Sequence, residues 1–254
     1  MTDIASPTII DVEMLDAGMT GWYLGSSLYP GFEIRPEDVV LDVGCGGGFA
    51  AFCGRQGAHI IFCDIVEGNV AHTHNILKGT AARELTPIVV TSERLPLPDA
   101  TATRIICSDV LEHVADPQLM LSEAVRVAKP GALFIISVPD PVSESLQKRV
   151  APPIYFERPN HVRIFGFEDI EELVRGSGLV IERHDRNGFY FTLMLAFFWS
   201  CPGIELATRD HPLLHAWAKT WWTLLNMAGG HELKANLDSF MPSRQMIIAR
   251  KPEA

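Results

Sequence analysis

The sequence predicts an α/β protein built on a doubly wound, mostly parallel sheet of seven strands. From residue 38 onward, short runs rich in β-branched residues alternate with helical stretches, which is typical of βαβ units. The first of these runs leads directly into a glycine-rich turn. The chain has 254 residues, of which 47% are hydrophobic, enough for one large core. We therefore expect a single domain over residues 1–254.

Strands and helices are expected in a regular order along the chain. The expected strands are Val39–Val43, Ala58–Cys63, Pro87–Val90, Thr103–Cys107, Ala132–Val138, Leu179–His184 and Gln245–Arg250. The expected helices are Glu67–Lys78, Asp116–Ala128 and Glu168–Arg175, and proline or glycine follows the last two, as is common at helix ends. Residues 1–37 are expected to form an N-terminal helical cap, because Ser6 and Pro7 are typical of a helix start.

Charge and composition argue against several classes of protein. The formal net charge is -10, with 31 acidic and 21 basic residues and no basic cluster, so we expect no nucleic-acid partner. The five cysteines lack the paired spacing of a metal site, and His72 and His74 do not share a helix face, so we expect no metal. The start of the chain lacks signal-peptide features, and Phe189–Trp199 is too short to span a membrane. We therefore expect a cytoplasmic location.

The strongest local signal is the segment Val39–Gly48, in which a buried strand ends in a turn containing Gly44, Gly46 and Gly48. Glycines have no side chain to keep a ligand away from the backbone N–H groups, and they tolerate positive φ. A dinucleotide-binding fingerprint would need a third glycine where Phe49 stands. A nicotinamide cofactor is therefore disfavoured, although an oxidoreductase stays a third interpretation of the fold.

The same turn resembles the first motif of class I S-adenosylmethionine-dependent methyltransferases. The matching residues are Asp42, Gly44, Gly46 and Gly48. The resemblance implies that this turn, including Cys45, holds the methionine part of S-adenosylmethionine. It also implies that Asp42 lies near the amino group of the cofactor, often through a bridging water molecule.

Asp64 ends the second strand, about 20 residues after the turn, where a carboxylate can accept both ribose hydroxyls. It matches the acidic end of the second strand in the family, so Asp64 is the expected ribose ligand, and Ile65 follows it in the expected cofactor site. The segment Thr91–Asp99 resembles the adenine-contacting stretch of methyltransferases similar to the ubiquinone and menaquinone biosynthesis enzymes. Adenine contacts are expected from Ser92 and from Thr91 or Glu93, although the family usually has an aspartate in this stretch.

Two further segments, Cys107–Val114 and Glu123–Gly131, match the same family in the same order, so the resemblance covers about residues 38–185. Cys107, Ser108 and Asp109, after the fourth strand, are expected under the methyl-donor end of the cofactor. The resemblance also implies that the last strand runs antiparallel to its neighbours, with a helical insertion between the sixth and seventh strands.

Methyl transfer to a hydroxyl group needs a base, and histidine can accept a proton near neutral pH. The candidates are His113, after the fourth strand, and His161, in the loop Arg158–Arg163. Both are expected at the carboxyl end of the sheet, where doubly wound folds bind ligands. We favour His161, because packing or a structural hydrogen bond is the stronger interpretation of His113.

Residues 188–240 form an apolar insertion, which the resemblance places on the cofactor side of the sheet. It contains Phe189–Trp199 and a second helix that begins at Pro212. The apolar stripe of this second helix consists of Leu214, Trp217, Trp221, Leu224 and Ala228. A lid over the acceptor site, a homodimer surface and a face that contacts membrane lipid are the three interpretations, and position favours the lid.

The sequence thus predicts a methyltransferase that uses S-adenosylmethionine. The expected acceptor is an oxygen, nitrogen or carbon atom of a small molecule with hydrophobic character. The alternative from another class is a regulatory protein that binds S-adenosylmethionine without catalysis.

Overall fold

The computed structural model describes residues 26–90, 94–158, 160–201, 203 and 211–253. Residues 1–25 of the expected N-terminal helical cap and the adenine-segment residues Thr91, Ser92 and Glu93 lie outside these ranges. Residues 26–37, the end of that expected cap, are described and contain a short antiparallel hairpin of two strands instead of a helix.

The strands form one large sheet and a short hairpin. They are β1 (Ser27–Tyr29), β2 (Phe32–Glu33), β3 (Val39–Val43), β4 (His59–Asp64), β5 (Glu84–Val89), β6 (Ala102–Ser108), β7 (Ala128–Pro139), β8 (Val180–Asn187) and β9 (Arg244–Arg250). The seven strands β3 to β9 lie in the order β5-β4-β3-β6-β7-β9-β8. Strand β9 runs antiparallel to both of its neighbours, β7 and β8, and the other neighbouring pairs of this sheet are parallel. The predicted fold class is confirmed.

The sheet is covered on both faces, and β3 shows why its sequence is almost entirely apolar. Successive side chains of a strand point to opposite faces. Leu41 and Val43 therefore join one buried cluster, whereas Val40 joins a second cluster on the other side. The neighbouring strand β4 divides in the same way.

Eight helices are described. They are α1 (Phe49–Arg55), α2 (Glu67–Leu77), α3 (Pro117–Val127), α4 (Pro141–Val150), α5 (Phe167–Gly176), α6 (Phe189–Ser200), α7 (Pro212–Leu225) and α8 (Gly230–Phe240). Aspartates begin α3 and α4, because Asp116 accepts from the backbone N–H of Leu119 and Asp140 from that of Val142. The sequence had not singled out α4, or α8 within the helical insertion, because both helices contain few apolar residues, and the third strand begins three residues earlier than expected.

The predicted helical insertion consists of α6, α7 and α8 and has a buried aromatic core of its own. Asp238 of α8 accepts hydrogen bonds from the backbone N–H groups of Gly188 and Phe189, at 3.0 and 2.9 Å. These N–H groups start α6, and an acidic side chain satisfies them there. The last helix of the insertion thereby holds the start of its first helix.

Gly188 is expected to tolerate no side chain. Its φ is +92°, and an added Cβ would overlap the Ser243 hydroxyl and lie 3.2 Å from Ser243 Cβ. Gly188→Ala should lower the free energy of unfolding by about 2–4 kcal/mol, through the left-handed backbone and the overpacking together. Urea denaturation measures this loss.

The matched control is Gly178→Ala, at φ +83° with open space around the new Cβ. It should show only the backbone cost of about 1–2 kcal/mol. Equal losses in the two variants would contradict the close packing at Gly188.

Candidate functional site

A cavity of about 840 Å³ lies at the carboxyl ends of β3, β4 and β6. Its walls come from the glycine turn, the end of β4, the loop after β6 and the loop that precedes α5. Its lining includes Gly44, Gly46, Asp64, Ile65, Asn69, Leu95, Ser108, Asp109, His113, Met120 and Asn160. The volume is in the range of cofactor and small-ligand sites.

Gly44 explains the shape of the glycine turn. Its φ is +72°, and a Cβ at this position would lie 2.6 Å from Val110 Cγ2, so no other residue fits without movement. Gly44 and Gly46 line the cavity. Cys45 instead points into the core and is fully buried, while Gly48, with φ +83°, starts α1 outside the cavity lining.

Asp42 and Cys107, two predicted cofactor-site residues, are buried beneath the cavity and are not part of its lining. Asp42 accepts a hydrogen bond from the backbone of Ala50 at the start of α1, and burial, with the nearby charge of Asp64, raises the pKa of Asp42 to about 7. Asp42 therefore supports the turn from below. Its role toward the amino group of the cofactor stays a prediction.

Asp64 lines the cavity and is held by two hydrogen bonds. Its Oδ1 accepts from the backbone N–H of Val66 at 2.8 Å, and its Oδ2 accepts from Asn69 Nδ2 at 3.1 Å. The carboxylate is thereby oriented, and its remaining lone pairs can accept hydroxyl donors. Ile65 beside it is 76% exposed, so an apolar side chain is available to cover a flat ring. Sequence reasoning missed Asn69, whose position on α2 gave no signal by itself.

Ser108 and Asp109 line the cavity below the loop that follows β6. The Ser108 and Ser137 hydroxyl oxygens lie 2.6 Å apart. Asp109 has a φ of +54°, a left-handed conformation that aspartate adopts more readily than most residues. Arg244 Nη1 lies 3.8 Å from Asp109 Oδ2, so a cation partly offsets this charge.

The structure brings together the two histidines that the sequence singled out. The rings of His113 and His161 meet edge to face, with centroids 5.0 Å apart. His161 Nδ1 lies 3.1 Å from Glu144 Oε2, and the Tyr155 hydroxyl donates to Glu144 Oε1 at 3.3 Å. Glu144 is 1% exposed. Glu144 is therefore a site residue that the sequence had not revealed.

Glu112 adds a second carboxyl group to this cluster. It is fully buried, and both of its oxygens lack a hydrogen-bond partner among the described residues. Burial, with the nearby charge of Asp109, raises the pKa of Glu112 well above its usual range. One ligand atom each from Glu112, His113 and His161 lie within 4.8 Å of one another. These residues could hold a metal ion, so the expectation of no metal stays a prediction.

Arg163 holds this part of the site together. Its guanidinium donates to the backbone carbonyls of Val114 and Ala115 at 3.1 and 3.2 Å. The backbone N–H of Val162 donates to the carbonyl of Glu112 at 3.1 Å. The loops that carry His113 and His161 are therefore joined by several hydrogen bonds, which fixes the two rings relative to each other.

A glycine turn after β3, a carboxylate after β4 and an antiparallel β9 within a parallel sheet define a class I methyltransferase fold. Residues 27–184 match the profile of a family described as "Methyltransferase domain", and the chain belongs to this family. The predicted family, the class of enzyme and the cofactor, S-adenosylmethionine, are thereby confirmed at the level of the family.

Curated relatives include the ubiquinone biosynthesis O-methyltransferases of Hahella chejuensis and Rhizobium etli. The first is 38% identical over 155 residues, covering 54% of this chain and 64% of the relative. The second is 30% identical over 166 residues, covering 60% of this chain and 63% of the relative. The chain therefore spans somewhat less than two thirds of the length of these relatives.

Solved structures share the fold at low sequence identity. The cyclase SpnF is similar with a TM-score of 0.59 and 19% identity, over 95% of this chain and 82% of that one. A geranyl diphosphate methyltransferase in complex with its methyl donor gives a TM-score of 0.58 and 13% identity, over 94% and 83%. These likenesses establish the fold alone.

The residues present fit S-adenosylmethionine. Gly44 and Gly46 bring the backbone directly to the cavity wall, and Asp64 presents oriented acceptor oxygens. Carboxylates at Asp64 and Asp109 line the same cavity, which suits a ligand that carries positive charge.

Asp64→Ala should weaken S-adenosylmethionine binding about tenfold to a hundredfold, because the hydroxyl donors of the ligand lose a charged acceptor. Isothermal titration calorimetry measures the change. Glu67→Ala, three residues further on and exposed, is the charge-matched control and should bind as the wild type does. An unchanged dissociation constant for Asp64→Ala would show that this carboxylate does not contact the cofactor.

Asp42 should make stability depend on pH. Its pKa is about 7 in the folded chain, against an ordinary value of 3.8, so between these values the folded state binds the extra proton. The free energy of unfolding should therefore fall as the pH rises from about 4 to 7. Asp42→Asn should remove that slope and gain on the order of 2–4 kcal/mol relative to wild type at pH 7.

Denaturation of the ligand-free protein at several pH values in this range measures how the free energy of unfolding depends on pH. The exposed Glu37→Gln serves as control and should leave the slope as it is in the wild type. A parallel pH dependence in Asp42→Asn and wild type would disprove the role of this buried carboxyl group.

Proposed function

We propose that this chain is an O-methyltransferase that transfers a methyl group from S-adenosylmethionine to a hydroxyl oxygen of a small, apolar acceptor. The observation that carries the proposal is the His161–Glu144 pair beside the cofactor cavity. The curated relatives named ubiquinone biosynthesis O-methyltransferase support oxygen as the accepting atom. A cytoplasmic location and a small-molecule partner are part of this proposal.

A hydroxyl group is a weak nucleophile until its proton is removed. His161 is suited to remove it, because Nδ1–H of His161 can donate a hydrogen bond to Glu144, which leaves Nε2 as the basic nitrogen. The buried carboxylate also stabilises the imidazolium that forms. Tyr155 donates to the other oxygen of Glu144 and fixes its orientation.

S-adenosylmethionine supplies a methyl group that is activated by a positively charged sulfur. The acceptor oxygen would bond to the methyl carbon as the carbon–sulfur bond breaks and S-adenosylhomocysteine leaves with the electron pair, and the hydroxyl proton would pass to Nε2 of His161. His113 lines the cavity and contacts the ring of His161, so it is placed to orient the acceptor hydroxyl. The joined loops keep both rings in place, which serves a reaction that depends on alignment.

Of the three interpretations of the insertion at residues 188–240, we propose the lid over the acceptor site. Within the described part of the chain, no helix is both long and apolar enough to cross a membrane. Contact with lipid and homodimer formation stay predictions from the sequence.

His161→Ala should lower kcat about 10²-fold to 10⁴-fold with phenolic acceptors, because general-base catalysis contributes that much. It should leave the binding of S-adenosylmethionine unchanged. The assay follows formation of S-adenosylhomocysteine with a panel of 4-alkylphenols and the matching 4-alkylanilines. The exposed His72→Ala is the control and should keep full activity.

Three results would contradict parts of the proposal. Turnover of anilines but not phenols would make the enzyme an N-methyltransferase. Loss of activity in His113→Ala but not in His161→Ala would assign the base to His113. Binding of S-adenosylmethionine without turnover of any acceptor would favour the regulatory alternative.

A further inference from the structure

Helix α6 of the insertion contacts the site at both of its ends. Near its start, the Arg244 guanidinium lies over the ring of Phe191, 5.4 Å from its centroid, and Arg244 also neighbours Asp109 of the cavity wall. Near its end, the ring of Trp199 meets that of Tyr155 at 5.4 Å. Tyr155 in turn packs against His161, with ring centroids 4.3 Å apart. The helix therefore extends from one side of the site to the other.

The residues that make these contacts share one face of α6. Positions 191, 195 and 199 are four apart, and residues at this spacing are neighbours along a helix. Leu195 therefore lies midway between the two contacts. We call Phe191, Leu195 and Trp199 the inner stripe of α6.

Two further aromatic residues of α6, Tyr190 and Phe197, face away from the inner stripe and pack on α7. Tyr190 stacks on Trp217 at 5.7 Å, and Phe197 meets Trp217 at 5.9 Å. These contacts belong to the aromatic core of the insertion, which also includes Phe191 and against which Leu195 and Trp199 pack. Leu195 and Trp199 are only partly buried, so the inner stripe lies at the edge of this core.

The inner stripe has the properties of a binding wall for an uncharged molecule. Helix α6 contains no charged residue, and a helix that is apolar all round requires cover on every face. Leu195 and Trp199 are nevertheless only half-buried. The indole N–H of Trp199 is buried without a hydrogen-bond partner among the described residues, so it can donate to an oxygen of a bound ligand.

We propose that the inner stripe binds the apolar body of the methyl acceptor and that Leu195 determines which acceptor length fits. This inference rests on the proposed function, since the hydroxyl of the acceptor is taken to reach His161. The acceptor class is then an uncharged hydroxyl compound with an extended apolar substituent. Because Phe191 and Trp199 already contact residues of the site, the stripe faces inward, which argues against its use as a lipid-binding surface.

The test measures binding of 4-alkylphenols, from ethyl to hexyl, to the full-length protein saturated with S-adenosylhomocysteine. Isothermal titration calorimetry gives the dissociation constant of each. In the wild type, each added methylene should tighten binding about threefold to fourfold until the wall is filled. Leu195→Asn should remove most of this dependence on length, and Leu195→Trp should move the best length to a shorter chain.

Leu193→Asn is the matched control, because Leu193 is also half-buried on α6 but lies on another face. It should keep the wild-type dependence on length, and circular dichroism melting checks that all variants fold. Equal effects of the Leu193 and Leu195 variants, or wild-type binding that does not change with chain length, would overturn the proposal.

Binding does not require methyl transfer, so failure of this inference is distinguishable from failure of the proposed function. Length-dependent binding through Leu195 with no turnover would refute catalysis and leave the acceptor wall in place. Turnover of alkylphenols with no effect of Leu195 would refute the wall and leave the O-methyltransferase in place.

Discussion

The site depends on the parallel pairing of β3 with β4 on one side and β6 on the other. In this register Val43 pairs with both Cys63 and Cys107, so the three strands end at the same edge. The pairing continues beyond the strands, because the N–H of Gly44 donates to the Cys63 carbonyl at 2.8 Å. The glycine turn, Asp64 and the loop at Asp109 are therefore held at fixed separations before any ligand binds.

Helix α4 connects this edge to the insertion through an unusual polar face. Glu144 is buried and reaches His161, whereas Gln147, one turn later and fully buried, donates to the backbone carbonyl of Thr192 on α6. Buried polar groups are stable when they are paired. Helix α4 therefore positions the proposed base, His161, and also supports α6. A displacement of α6 would act on His161 through α4.

Much of the fold could be predicted from the sequence, because apolar runs indicate strands and helices and glycines indicate turns. The position of Asp64, and the expectation that His113 and His161 lie at the carboxyl end of the sheet, followed from where strands end. The burial of Asp42 was also within reach, since Asp42 alternates with Leu41 and Val43 and so points to the opposite face. Glu144 and Asn69 could not be found this way, because their roles arise from contacts between segments that have no shared pattern.

The insertion leaves and re-enters the sheet at adjacent positions, since Asn187 pairs with Arg244 at the ends of β8 and β9. Asp238 closes it on itself at the same point. Because both ends of the insertion meet at one point of the sheet, the segment between them can be exchanged for another without a change in strand order. Exchange of this one segment, between β8 and β9, would let the same cofactor-binding strands act on a different acceptor.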